Sequence, residues 1–306
     1  MKRAMQRLVT GAAACLLAVS AMMLPHTAAS AGPECMFIRY PGLGAGASCP
    51  EPITGGGTGT SSSVPTTDDR MNSTPTGWWT YQNVDPDTVS ALLSSNDARP
   101  TDLRVLSASP LRFSVTMVRN TGAYASGYWW YYGVTMTQVS NLLSTNNARL
   151  ISAVRYGSVY AVVMVPNIGA NAKAWGWCDT DFAGIGSCLG TTMRLTNIVS
   201  YAQNRFVVIF VNNSPGYGWC WYAGISRAAL NNVCNGQSVL DISANPDGTF
   251  NVASVALDGD GRVHSFTSPQ ALVNYAVASP PDRPLFVTPY VANGTTNWIT
   301  SFRYNS

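Results

Sequence analysis

The chain has 306 residues, of which 46% are hydrophobic and only 11% are charged. Its formal net charge of +3 comes from Lys2, Arg3 and Arg7, because the remaining chain carries equal numbers of basic and acidic residues. A neutral chain with few charges has no electrostatic basis for binding nucleic acid or an anionic membrane surface.

Residues 1–31 have the pattern of a signal peptide. Three basic residues precede an apolar run over residues 8–24, and Ala29-Ser30-Ala31 is a small-residue cleavage site. We therefore predict export, to the extracellular space or the periplasm. No other apolar stretch is long enough for a membrane helix, so no membrane span is expected.

Residues 32–76 differ in composition from the rest of the chain. A small loop between Cys35 and Cys49 is followed by a stretch rich in Gly, Ser and Thr, which is typical of a flexible linker. The region is too small for a hydrophobic core of its own. We interpret it as an interaction tag or a cap on the following domain.

Residues 77–306 contain a repeat of about 45 to 50 residues in five copies. The clearest copy has an aromatic strand over residues 128–132, a helix over 136–143, an alternating strand over 150–156 and an apolar strand over 160–165. A unit of this size cannot bury its apolar face alone, so neighbours must stack. A residue at one register position marks the copies: Arg99, Arg149, Arg194, Ser238 and Arg283. We expect these arginines to be buried at the start of a strand.

Helix starts are predicted from capping residues. Thr135 and Gln138 form a capping-box pattern, and Asp85 and Ser268 each precede a proline, as N-cap residues often do. Apolar residues at helical spacing follow each cap, which predicts short helices with one buried stripe.

The apolar strands are hydrophobic on both faces, and a helix can cover only one of them. The other face must meet a neighbouring sheet or curl inward. We therefore predict an α+β fold in which each tandem repeat has an aromatic strand, a short helix and two strands. The repeats would form a curved barrel-, half-barrel- or propeller-like array.

Six cysteines follow the signal peptide, and an even number in an exported chain indicates disulfides. The repeat register favours local pairs that join an aromatic strand to the next helix. The predicted bridges are Cys178–Cys188, Cys220–Cys234 and, from the remaining two cysteines, Cys35–Cys49.

The sequence contains no catalytic constellation. After residue 31 there is one histidine, His264, and one lysine, Lys173, and neither belongs to a nucleophile motif. We predict no catalytic residue, no metal and no cofactor. Asp179 and Asp181 are the best carboxylate pair for cleaving a glycosidic bond. The other interpretation of this pair is helix capping.

The aromatic strands are the best candidates for ligand binding. Consecutive side chains point to opposite faces of a strand, so one set of rings is available when the other is core. The alternative is that both sets pack between units. The candidate ligand-binding residues are Trp78, Trp129, Tyr131, Trp175, Trp219 and Trp221.

The unit resembles the tandem-repeat modules of exported bacterial proteins. The segments YYGVTMTQVSNLL and ARLISAVRY, with their counterparts in the other copies, are similar to the repeats in the N-terminal half of secreted polyglycine hydrolases. In those enzymes a β-lactamase-like serine domain follows the repeats, and residues 1–306 do not include one. The resemblance implies the repeat fold and an accessory or binding role.

These observations predict a secreted, disulfide-stabilised repeat protein that binds an extracellular polysaccharide or peptide through aromatic and Asn/Thr-rich surfaces. One alternative is an extracellular hydrolase that uses Asp or Ser residues in a concave groove. The other is a structural protein of the cell envelope.

Overall fold

The computed structural model describes residues 70–71, 76–122, 125–169, 172–214, 216–236, 238–257, 263–278 and 282–305, without the side chains of residues 234–236. The predicted signal peptide and the predicted bridge between Cys35 and Cys49 lie outside these residues.

The first repeat unit has the predicted order of elements: β1 (Trp78–Val84), α1 (Pro86–Ser95), β2 (Ala98–Ala108) and β3 (Leu111–Arg119). Its three strands are antiparallel in the order β1-β3-β2, so the apolar third strand lies in the middle. The aromatic strand and the second strand form the two edges.

The next three units repeat this topology. Unit two is β4 (Trp129–Val134), α2 (Met136–Thr145), β5 (Ala148–Tyr156) and β6 (Val159–Pro166). Unit three is β7 (Trp175–Thr180), α3 (Phe182–Leu189), β8 (Met193–Ala202) and β9 (Arg205–Asn212). Unit four is β10 (Trp219–Ile225), a 3₁₀ helix (Arg227–Gly236), β11 (Ser238–Ala244) and β12 (Phe250–Val255).

The fifth unit is a variant of the same pattern. It consists of β13 (Val263–Phe266), α4 (Pro269–Ala278), β14 (Asp282–Pro284), β15 (Thr288–Ala292) and β16 (Thr295–Tyr304). Both β14 and β15 pair with β16, so together they occupy the place of the single second strand in the other units.

The predicted capping residues begin the helices. The Asp85 carboxylate accepts a hydrogen bond from Thr88 N at 2.7 Å. Thr135 and Gln138 form the reciprocal capping box at the start of α2. Ser268 Oγ accepts from Ala271 N at 3.1 Å before α4. Each cap satisfies a backbone donor that the first turn leaves without a partner.

Each hydrophobic core is shared by at least two units. Val162 of β6 lies in one apolar cluster with Val139 of its own helix α2, whereas its neighbour Val163 lies in the cluster of Leu92 on α1. Ile209 of β9 likewise reaches back into the cluster of Val139. Successive side chains of a strand point to opposite faces, so a middle strand packs on its own helix and on the preceding unit.

Contacts run from unit to unit and return to the first. β2 contacts β5, β5 contacts β8, β8 contacts β11, and β11 contacts β15 and β16. Between the last and first units, Ser114 Oγ donates to the Val287 carbonyl at 2.9 Å, and the Asn305 side chain bonds both backbone groups of Thr76. Trp78 packs with the fifth-unit cluster around Phe302.

The expectation of a barrel is not met. The described strands form five separate small sheets, and no closed barrel is found among them. A β-bulge interrupts the second strand of each of the first four units. Side chains complete the contact there, since Leu103 N donates to Ser152 Oγ and Ile198 N donates to Asp241 Oδ2.

The predicted bridge Cys178–Cys188 is present and joins β7 to α3. Cys220 of β10 is also disulfide-bonded. The side chain of its expected partner, Cys234, lies outside the described part of the chain. No described helix is long and apolar enough to cross a membrane.

Replacing Ile209 with alanine tests the shared cores. Ile209 is fully buried in the core of the preceding unit, so we expect a loss of about 2–5 kcal/mol of unfolding free energy. Urea unfolding followed by tryptophan fluorescence and circular dichroism should still give one coincident transition. Val277→Ala is the control, because Val277 is exposed on α4. Two separated transitions in Ile209→Ala would contradict shared cores.

Candidate functional site

The aromatic strands lie at the sheet edge opposite the second strands, and their tryptophans are half-buried. The structure distributes the six predicted binding residues over three apolar clusters. Trp129, Tyr131 and Trp175 pack against the cluster that contains Val139. Trp219 and Trp221 pack around Ile185, and Trp78 packs against the fifth unit.

Tyr131 has a structural contact. Its hydroxyl accepts a hydrogen bond from Asn146 Nδ2 at 3.3 Å, and Asn146 is the C-cap of α2. In the first unit, Tyr81 receives the same hydrogen bond from the C-cap Asn96 at 3.1 Å. This recurring contact fastens the end of the helix to the aromatic strand.

Four exposed rings among the described residues were not predicted from the sequence: Tyr132, Phe182, Tyr222 and Tyr304, which are 41%, 50%, 46% and 45% exposed. The ring centroids of Tyr132 and Trp130 are 5.3 Å apart. The ring of Phe113, in the first unit, contacts both, at 6.4 Å from Tyr132 and 6.2 Å from Trp130 between centroids. Phe182 lies 5.3 Å from Trp221 of the next unit. We call Tyr132–Trp130 and Phe182–Trp221 the boundary ring pairs. Strand alternation was the available sequence signal for Tyr132, because it places Tyr132 and Tyr131 on opposite faces of β4.

Asp179 is the centre of an ionic cluster between units two and three. Its oxygens accept hydrogen bonds from Tyr160 and Tyr201 hydroxyls, both at 2.6 Å. Arg155 and Arg205 form ion pairs with it at 2.8 and 3.1 Å. Asp181, the other half of the predicted carboxylate pair, accepts from Gly184 N and caps α3.

These contacts decide what Asp179 can do. Burial raises its pKa, but the hydrogen bonds from Tyr160, Tyr201 and Arg155 outweigh burial and hold the pKa below its ordinary range. Burial, with the hydrogen bond to Asp179, raises the pKa of the Tyr160 hydroxyl. A carboxylate that stays ionised and already accepts four donors fits a structural link better than a general acid.

A second cluster lies where the second strands meet, and sequence reasoning missed it. The four bulges precede Asp102, Ser152, Asn197 and Asp241, which share one register position and are fully buried. The fifth unit has Phe286 there. A bulge re-aims the residue that follows it, so one side chain from each unit is directed to the centre.

Two arginines join these side chains, and we call the set the central cluster: Arg70, Asp102, Arg104, Ser152, Asn197 and Asp241. Arg104 donates through Nε to Asp102 at 2.9 Å and through Nη2 to Asp241. Arg70 pairs with Asp102 at 2.6 Å and with Asp241 at 3.0 Å. Two carboxylates and two guanidinium groups therefore balance in charge.

The central cluster retains two polar atoms without a hydrogen-bond partner among the described residues, Arg104 Nη1 and Asn197 Oδ1. Burial and the neighbouring Asp241 carboxylate raise the pKa of the Asp102 carboxyl, although the two arginines act to lower it. Buried charges are stable only while their partners remain.

The recurring arginines Arg99, Arg149, Arg194 and Arg283 are buried at the starts of the second strands, as expected. His264 lies in an aromatic cluster, with its ring centroid 4.7 Å from that of Tyr275 and 5.4 Å from that of Phe302. His264 therefore packs as a strand residue inside the fifth unit.

No group of three or more potential metal ligands occurs in the described ranges. No protein-family model matches the sequence, and no curated protein matches it.

Asp179→Asn tests the ionic cluster. The asparagine amide would present N–H groups to tyrosine and arginine donors that need an acceptor. We therefore expect a loss of about 1–3 kcal/mol of unfolding free energy at pH 7. In the folded protein the pKa of Asp179 is depressed below its ordinary value of 3.8. The ionised carboxylate therefore stabilises the fold fully above pH 3.8, and this stabilisation is lost as the pH falls through the folded pKa. The stability difference between wild type and variant should therefore shrink below about pH 4.

The measurement is urea unfolding at several pH values, with Asp87→Asn as control because Asp87 lies exposed in the first turn of α1. A difference that is independent of pH would contradict the role of the Asp179 charge.

Proposed function

We propose that this protein is a secreted repeat protein that binds an extracellular ligand, a polysaccharide or a peptide, through aromatic rings at the boundaries between its units. The proposal rests on the two boundary ring pairs. In each, an exposed ring lies against a half-buried tryptophan that is held by a hydrophobic cluster.

The boundary ring pairs have the properties of a stacking surface. Trp130 contacts Phe113 of the preceding unit edge to face at 6.2 Å, which holds its ring in place, while Tyr132 remains 41% exposed. A ring that is already fixed loses little conformational entropy when a ligand stacks on it. Sugar rings and glycine- or proline-rich peptides present the flat, uncharged faces that such a surface accepts.

The charge distribution also favours a neutral ligand. The chain after residue 31 is electrically balanced, and the cations of the central cluster and of the Asp179 cluster are paired with carboxylates. Stacking and hydrogen bonding would therefore supply the affinity, with little dependence on salt.

The hydrolase alternative has less support. Asp102, Asp179 and Asp241 accept hydrogen bonds from arginines, and Asp85 and Asp181 cap helices. A catalytic acid needs a carboxyl that can release and accept a proton at the working pH. These five carboxylates have structural partners instead.

The proposal also includes export from the cell and a propeller-like arrangement of the units. The Cys178–Cys188 bridge is consistent with an oxidising compartment, as export would provide. The cyclic order of contacts is consistent with a propeller-like array, in which the boundaries between units are repeated binding positions. The resemblance to the repeats of secreted polyglycine hydrolases agrees with an accessory binding role.

Intrinsic tryptophan fluorescence of the protein without residues 1–31 tests the proposal. The titration panel contains cell-wall glycans, plant polysaccharides and glycine-rich peptides. We expect a saturable change with one ligand class, because Trp130 and Trp221 lie beside the exposed rings. Tyr132→Ala or Phe182→Ala should weaken that binding about tenfold, the loss expected for an aromatic anchor.

Val291→Ala is the matched control, since Val291 is 64% exposed and lies in neither ring pair. It should leave the affinity unchanged. Fluorescence that no ligand changes, or equal weakening by the control, would overturn the assignment of the boundary ring pairs as the binding surface.

A further inference from the structure

Arg70 is the one member of the central cluster that no repeat unit supplies. It belongs to the segment before β1, which the composition predicts to be a linker, yet it is only 4% exposed. Its partners are distant in sequence, with separations of 32 residues to Asp102, 126 to Thr196 and 170 to Leu240. Next to it, Met71 Sδ accepts from Arg194 Nη2 at 2.8 Å.

The groups around Arg70 come from three units. Nη2 donates to Asp102 of unit one, and Nη1 pairs with Asp241 of unit four. Nη1 also reaches the carbonyl oxygens of Thr196, at 3.1 Å, and Leu240, at 3.2 Å. Thr196 and Leu240 are the bulge residues of β8 and β11, and a bulge leaves such a residue outside the strand ladder.

This set of acceptors fits a guanidinium group. Two terminal nitrogens of one planar cation reach two carboxylates and two carbonyls on different units. An ammonium group has a single nitrogen and cannot span the same positions. The acceptors are held by the repeat strands and by Arg104, so they are fixed independently of the segment that carries Arg70.

Charge and hydrogen bonding make the site dependent on its occupant. Without Arg70, Asp102 and Asp241 would share only Arg104, which leaves one buried negative charge uncompensated. Arg104 Nη1 and Asn197 Oδ1 already lack a partner in the described chain.

We propose that the central cluster is a guanidinium-binding site, which the chain's own Arg70 occupies and which accepts the side chain of another arginine, or a small alkylguanidinium, when Arg70 is absent. The proposal does not depend on the boundary ring pairs. It makes the segment before β1 a tethered ligand that joins units one, three and four.

The test is chemical rescue of Arg70→Ala in the chain without residues 1–31. The probes are N-propylguanidinium and, as its matched control, N-propylammonium, each at about 10 mM, far below the molar range in which guanidinium unfolds proteins. We expect a melting temperature on the order of 10 °C below wild type. N-propylguanidinium should recover about 3–5 °C of this loss, the shift expected of a millimolar Kd at about 10 mM, and calorimetry should give that Kd, whereas wild type should not respond.

Arg155→Ala is the matched control variant. It also removes an arginine from a carboxylate, but Asp179 keeps Arg205, Tyr160 and Tyr201. Neither probe should raise its melting temperature. Equal rescue of Arg70→Ala by both probes, or no rescue by N-propylguanidinium, would overturn the proposal.

If Arg70→Ala does not fold alone, refolding from urea gives the answer. Recovery of the wild-type circular dichroism spectrum with N-propylguanidinium, but not with N-propylammonium, supports the site. If neither probe restores the spectrum, the result counts against the site, because N-propylguanidinium should replace the cation that the variant lacks.

Discussion

The structure depends on one constraint, which is that the middle strands of units two and three, β6 and β9, each have two apolar faces and only one helix. Burying both faces requires the preceding unit, so Val163 and Ile209 lie in cores that belong partly to their neighbours. In the first unit the corresponding strand carries Ser114 and Thr116 between its apolar residues, and Ser114 bonds the backbone of the fifth unit. The contact between the ends of the array therefore includes polar side chains.

The stacking of the five units also brings their second strands together, at positions where bulges interrupt the backbone hydrogen bonding. The bulges leave carbonyl groups and buried polar side chains there, and Arg70 and Arg104 bond the two carboxylates of the central cluster and the carbonyls of Thr196 and Leu240. Oppositely charged groups at the centre need not make the fold more stable than an apolar centre would. They do require one register between units, because a shift of one residue would separate Asp241 from Asn197 and Ile198.

The sequence predicted local structure well because the evidence for it is local. Asp85, Thr135 and Ser268 cap helices within three residues of their partners, and Cys178 and Cys188 are 10 residues apart. The central cluster was missed because no single residue type recurs at its register position, which holds Asp, Ser, Asn, Asp and Phe in the five units. Polar residues at one register of strands that are otherwise apolar were the available signal. The position of Arg70 could not be predicted, since nothing local distinguishes it from a linker arginine. The candidate binding residues were chosen from the aromatic strands, but alternation alone does not decide which ring of each strand stays exposed.

The five units should unfold as one cooperative structure, because they share their cores. Native-state hydrogen exchange of the backbone amides measures this cooperativity most directly, since it reports the opening free energy of each strand separately. We expect the amides of β3, β6, β9, β12 and β16 to exchange through one common opening, with the same free energy and the same dependence on denaturant. Opening free energies that differ from unit to unit, with one unit exchanging while its neighbour stays protected, would contradict it.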